Sequence, residues 1–241
     1  MKQQKILMIF TPIICVILAI ISYLGIKNSE FSDSLKFKKE YESLNGKVSY
    51  GENKYKDLSI SKINPIKYSN YDEIIDIINN GTGIIYLGFP ECPWCRTAVP
   101  VLLDVAKDNE VNTIYYLNIK NERDSYIIED GELTLAINDD GKEIKGTKGY
   151  FRLLDALKDN LSDYIISYED KTYEVGEKRI YAPSVIFVKD GNVLGIQVST
   201  VEDQTDPFKE LTEEQYEELY SIYEEYVNNI YSSTCDINSS C

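Results

Sequence analysis

Residues 83–108 read GIIYLGFPECPWCRTAVPVLLDVAKD, and the stretch changes character halfway along. Gly83 to Phe89 is a short apolar run rich in β-formers, the pattern of a buried strand. From Pro93 to Lys107 the spacing becomes helical, with Val99, Leu102, Leu103 and Ala106 facing inward. Cys92 and Cys95 fall at the junction. With Pro93 at the first helical position, where a missing N–H costs nothing, Cys92 caps the helix. Its sulfur then sits at the positive end of the helix dipole. A thiolate is stabilised there, which lowers the thiol pKa and supplies the nucleophile for disulfide exchange. Cys95, one turn further in, is placed to close or resolve a disulfide with it. Arg96 adds positive charge nearby and Glu91 opposes it.

Two other readings compete. A zinc site needs four ligands, and the chain has no histidine, so only Cys235 and Cys241 could join the pair, with a spacing wide for a zinc knuckle. A purely structural disulfide closing so short a loop would remove little unfolded-state entropy. A redox dithiol is the favoured reading. No metal or organic cofactor is expected.

Outward from this stretch, VNTIYYLNI (Val111 to Ile119) reads as a second strand, so that the region forms a β–α–β unit with parallel strands. Before it, Asn70 followed by Glu73 resembles a capping-box start. YDEIIDIINN then places Ile74, Ile75, Ile77 and Ile78 at helical spacing, and Gly81 suits the helix stop. After it, GELTLAINDDGKEI suggests two strand segments around an Asp-Asp-Gly turn. TKGYFRLLDALKDNL suggests a helix with Leu153, Leu154 and Leu157 on one face. SVIFVKDGNVLGIQVST is a strong antiparallel hairpin signal around Asp190-Gly191. A closing amphipathic helix carries Tyr216, Leu219, Tyr220, Tyr223, Tyr226, Val227 and Ile230 in a stripe stepping by three and four.

The ends are different. Ile6 to Ile26 carries no charge and is long enough, at ~1.5 Å per residue, to cross a ~30 Å hydrocarbon layer. Lys2 and Lys5 precede it, and SYLGIKNSE offers no good cleavage site. Residues 1–5 are therefore expected as a cytoplasmic tail, 6–26 as an uncleaved anchor in the cell membrane, and 27–64 as a polar spacer with a short helix. The folded part is placed outside, although lysines after the span compete with those before it. All 40 acidic residues follow the span. Nucleic-acid binding needs a basic footprint, which this chain lacks; its acidity suits a solvated, exported surface.

Four features resemble the thioredoxin superfamily: the strand leading into Cys-x-x-Cys, Pro100 five residues beyond Cys95, the strand ending YLNI, and YAPSVIFVKDGNVLG. The resemblance covers about residues 65–231 and implies an α/β thioredoxin-like fold, a central mixed sheet flanked by helices. It also implies that Pro183 is the family's cis-proline, facing Cys92, that Ala182 lines the substrate groove, and that Trp94 shapes its mouth. Cys95 and Pro183 stand roughly twice as far apart as is usual in the family, so residues 121–180 read as an insertion before the cis-proline strand. Tyr86 stands where the family has a buried acid, leaving Cys95 without the standard base. Pro-Trp between the cysteines is similar to the Pro-Tyr of glutaredoxins.

The whole plan resembles the bacteriocin-transport accessory proteins and related membrane-anchored thioredoxins of Gram-positive bacteria. The expected function is an extracytoplasmic thiol–disulfide oxidoreductase, with cysteine-containing exported proteins or peptides as partners and a membrane redox partner as a further one. Its rival is a binding or secretion-accessory protein with an idle dithiol. Cys15 is expected to pack within the span. Cys235 and Cys241, in the tail 232–241, could pair as a second disulfide, exchange with Cys92–Cys95, or stay free.

Overall fold

The apolar run Gly83–Gly88 forms a strand buried along its whole length. In the computed structural model, which describes residues 31–49 and 52–232, it is the middle of a five-stranded sheet. The strands are β1 (Ile66–Tyr68), β2 (Gly83–Gly88), β3 (Ile114–Asn118), β4 (Tyr126–Glu129), β5 (Glu132–Leu135), β6 (Asp163–Tyr168), β7 (Lys171–Lys178), β8 (Ser184–Lys189) and β9 (Asn192–Val198). The helices are α1 (residues 31–42), α2 (Tyr71–Asn80), α3 (Pro93–Asp108), α4 (Lys148–Leu157) and α5 (Glu213–Tyr231). The central sheet runs β1-β3-β2-β8-β9, while β4-β5 and β6-β7 are separate hairpins. β1 and β2 pair with β3 in parallel; β8 and β9 join as antiparallel strands. This mixed sheet flanked by helices is compatible with a thioredoxin-like fold.

Strand periodicity divides the core in two. Ile84 and Tyr86 of β2, with Val185 and Phe187 of β8, face a layer made by α1, α3 and α5. Ile85, Leu87, Ile186 and Val188 face the opposite layer, made by α2 and α4. The predicted helix faces go where their spacing sends them: Ile74, Ile77 and Ile78 of α2, and Leu153, Leu154 and Leu157 of α4, are buried. At the start of α2 the Asn70 side chain accepts the N–H of Glu73 at 3.1 Å. The Glu73 carboxylate turns to Ser69 and Lys67 instead of reaching back to the cap. The β8–β9 hairpin turns at Asp190 and Gly191, both at positive φ (50° and 72°), as a type I′ turn requires. Gly191 is needed for space as well, because a Cβ there would lie 2.4 Å from the Asn79 carbonyl oxygen.

Two expectations need correction. Residues 27–64, read as a spacer, do not hang free where they are described. Phe37 and Tyr41 on α1, one helical turn apart, are fully buried, and Leu58 and Ile60 join the same core. The polar residues that suggested a linker lie on the outer face of an amphipathic helix. Secondly, the Asp139-Asp140-Gly141 turn closes only an isolated bridge, Ile137 to Glu143. The strand Glu132–Leu135 pairs backward with β4, through a tight turn at Asp130 and Gly131. Residues 6–26 lie outside the described residues; among these, no helix is long and apolar enough to cross a membrane.

A buried guanidinium joins α3 to the N-terminal segment. Arg96 is fully buried and donates to the carbonyl oxygens of Tyr41 (2.7 Å) and Lys56 (2.5 Å) and to Asn45 Oδ1 (2.9 Å). The Tyr55 ring covers it, 5.5 Å away. Arg96→Leu would leave those acceptors buried without their donor. It is expected to destabilise the folded chain by about 3 kcal/mol, read as a lower urea midpoint at unchanged slope.

Candidate active site

Cys92 follows a tight turn at the end of β2, its N–H bonded to the Phe89 carbonyl at 3.2 Å. Its own dihedrals are extended (φ −77°, ψ 116°), and Pro93 opens α3 directly after it. The sulfur is therefore the N-cap of a 16-residue helix and accepts the Cys95 N–H at 3.3 Å. Cys95 is completely buried and Cys92 is 6% exposed, so a partner can reach the outer sulfur alone. Both cysteines are unpaired.

The sheet register brings in the second half of the site. Ser184 stands opposite Leu87, so the two residues before Ser184 arrive beside the end of β2. The Ala182–Pro183 peptide there is cis, and the Cys92 thiol donates to the Ala182 carbonyl oxygen at 3.3 Å. Pro183 is buried and Ala182 half-buried. Trp94, also half-buried, packs against the core beside the cysteines.

The two thiols are electrostatically unequal. Cys92 is held below the ordinary thiol range by its hydrogen bond with Cys95, with help from backbone N–H groups and the charge of Arg123, against the opposing effect of burial. Cys95 is pushed well above that range, first by burial and then by hydrogen bonding to Cys92 and by its charge. An outer nucleophile is thus paired with an inner thiol that keeps its proton. That asymmetry suits attack by Cys92 followed by resolution by Cys95.

The cation at the site is not the one anticipated. Arg96 turns away from the sulfurs to hold the Tyr41 and Lys56 carbonyls, because its backbone position one residue beyond Cys95 points into the packing of the N-terminal segment. Glu91 is drawn off by Lys120, 2.8 Å away. The charge on Cys92 comes from Arg123, in the loop after β3. Its guanidinium stacks over Phe89 (5.3 Å) and reaches the Ile180 carbonyl at 3.4 Å, while its Nε finds no hydrogen-bond partner among the described residues. A buried ion pair next to it, Arg179 to Asp124 at 2.6 Å, ties that loop to the segment leading into Pro183. The insertion therefore contributes to the site: residues 123, 124 and 179 all come from it.

Five predicted residues, Cys92, Trp94, Cys95, Ala182 and Pro183, thus form one locality. Cys235, Cys241 and Cys15 lie outside the described residues. Among the described residues no three Cys, Asp or Glu side chains converge in a way that could hold a metal ion. Sequence reasoning missed Arg123, for which no local pattern gives a signal. It also missed Tyr41, whose helical spacing from Phe37 was a usable one. Comparison with family models, curated proteins and solved structures finds no match for this chain.

Arg123→Met should raise the Cys92 pKa and slow its alkylation. The sign follows from charge: losing a cation destabilises the thiolate, so less of it exists at neutral pH. The pH profile of iodoacetamide labelling should move to higher pH, with the rate at pH 7 falling about threefold or more.

Proposed function

We propose that this chain is a thiol–disulfide oxidoreductase of thioredoxin-like fold, anchored to the cell membrane through residues 6–26 and acting outside the cytoplasm on cysteine-containing exported proteins or peptides. The observation that carries the reading is the position of the Cys92 sulfur. It caps a helix, belongs to a residue that keeps 6% exposure, accepts the Cys95 N–H, and donates to the carbonyl before a cis-proline. In the forward direction Cys92 attacks one sulfur of a substrate disulfide, forming a mixed disulfide and releasing the other sulfur as a thiol. Cys95 then attacks Cys92, the Cys92–Cys95 disulfide forms, and the second substrate sulfur leaves as a thiol. The reverse sequence oxidises a substrate dithiol. Ala182 offers its backbone to an extended substrate segment, and Trp94 and Pro183 bound the groove.

Insulin reduction with dithiothreitol as electron source tests the chemistry. Wild type should be active, Cys92→Ser should lose essentially all activity over background, and Cys95→Ala should accumulate mixed disulfides on Cys92. Equal rates for wild type and Cys92→Ser would instead leave a peptide-binding or secretion-accessory role of the bacteriocin-export type.

A further inference from the structure

The inner thiol has a partner that the oxidoreductase reading leaves unused. Tyr86 occupies the middle of β2 and is fully buried. Its hydroxyl belongs to the same buried cluster as Cys95, where each group's ionisation responds to the other, and it lies 2.6 Å from the hydroxyl of Tyr41, also fully buried. Space for this hydroxyl is reserved by Gly88, two residues on along the same face of the strand, where any Cβ would lie 2.3 Å from Tyr86 Oη. Tyr41 is delivered by α1, whose end is clamped by Arg96 through the Tyr41 carbonyl itself. The neighbouring hydroxyls of Tyr116 and Tyr223 are buried with no hydrogen-bond partner among the described residues.

Resting on the proposed redox chemistry, we infer that Tyr86 is a catalytic hydrogen-bond donor to Cys95 and that Tyr41 is the positioning residue that orients and polarises it. Tyr86 has one proton to give. When it donates to Cys95, Tyr41 donates to the Tyr86 oxygen, giving a chain from Tyr41 through Tyr86 to Cys95 in which each bond strengthens the next. Neither phenol acts as a base, since burial raises both far above their usual range. Their role is to stabilise negative charge appearing on Cys95 where water is excluded. The titratable groups that interact with that sulfur are Cys92, Tyr86, Tyr41, Tyr116, Tyr223 and the Arg123 guanidinium; no carboxylate is among them. In the resolving step the Cys95 S–H loses its proton as its sulfur attacks Cys92. The Cys92–Cys95 bond forms and the bond from Cys92 to the substrate sulfur breaks. That sulfur leaves with the electron pair, and the proton passes to it or to buffer. In this step Cys95 is oxidised from thiol to disulfide and the departing substrate sulfur is reduced to thiol, while Cys92 stays at the disulfide level.

The test uses the full-length chain with Cys15, Cys235 and Cys241 as serine, so that only Cys92 and Cys95 report. Reaction with dithiobis-nitrobenzoate releases one coloured thiolate when Cys92 is labelled and a second when Cys95 resolves the mixed disulfide. Tyr86→Phe should slow the second release about tenfold and shift its pH profile upward, since the Cys95 thiolate loses its donor. Tyr41→Phe should act in the same direction but less strongly, and Tyr223→Phe should change neither rate nor profile. Urea melts of each variant identify any loss of folding. Gly88→Ala, which displaces the same hydroxyl while keeping Tyr86, should reproduce the slow second release if Tyr86→Phe does not fold. Resolution at the parent rate in Tyr86→Phe, or an equal slowing in Tyr223→Phe, would overturn the inference. Absence of insulin reduction with a normal pattern of thiolate release would overturn the oxidoreductase reading alone.

Discussion

One guanidinium decides what belongs to this domain. Arg96 lies on α3 directly after the inner cysteine, yet its planar head binds carbonyls of the N-terminal segment. A lysine could not replace it, because one ammonium cannot address three acceptors spread around a plane. Burying that charge is unfavourable in itself, and the array of carbonyl oxygens, with the Tyr55 ring above, offsets the loss of water. In consequence α1 is fastened to the helix that carries the thiols. The position of the Tyr41 hydroxyl follows from that attachment.

The surroundings of the two sulfurs show how burial and charge divide the work. Both cysteines share one helical turn, and the dipole at its tip favours a thiolate at the capping Cys92. Burial separates them: Cys95 has no access to water, while Cys92 lies at the helix tip with backbone N–H groups and Arg123 at hand. The low outer pKa and the high inner one reinforce each other, because the proton that Cys95 keeps stabilises the charge on Cys92 and that charge opposes ionisation of Cys95. Arg123 reaches the site from a loop whose position depends on the Arg179–Asp124 pair. The long segment between Cys95 and Pro183 is therefore more than an ornament on the sheet.

Much of the fold was readable from pattern. The strand into Cys-x-x-Cys, the capping cysteine with proline behind it, the Asp190-Gly191 hairpin and the α5 stripe all occur where their residues place them. Failures came where pattern was diluted. α1 has too few apolar residues to stand out among lysines and glutamates, so Phe37 and Tyr41 passed as scattered aromatics. In the insertion, GELTLAINDDGKEI offers two acceptable turns within a dozen residues. Local sequence does not rank them, and pairing with Tyr126–Glu129 does.

The chain's own order of residues determined the helix tip and the sulfur on it, because these depend on backbone sterics and short-range periodicity; the proline that closes the site was implied by resemblance and is brought there by the pairing of β2 with β8. Which charge stands beside Cys92 and whether Arg96 faces the thiols or the N-terminal segment were decided only by tertiary structure. Those contacts join residues tens of positions apart, and their geometry is fixed by packing that no neighbouring residue encodes.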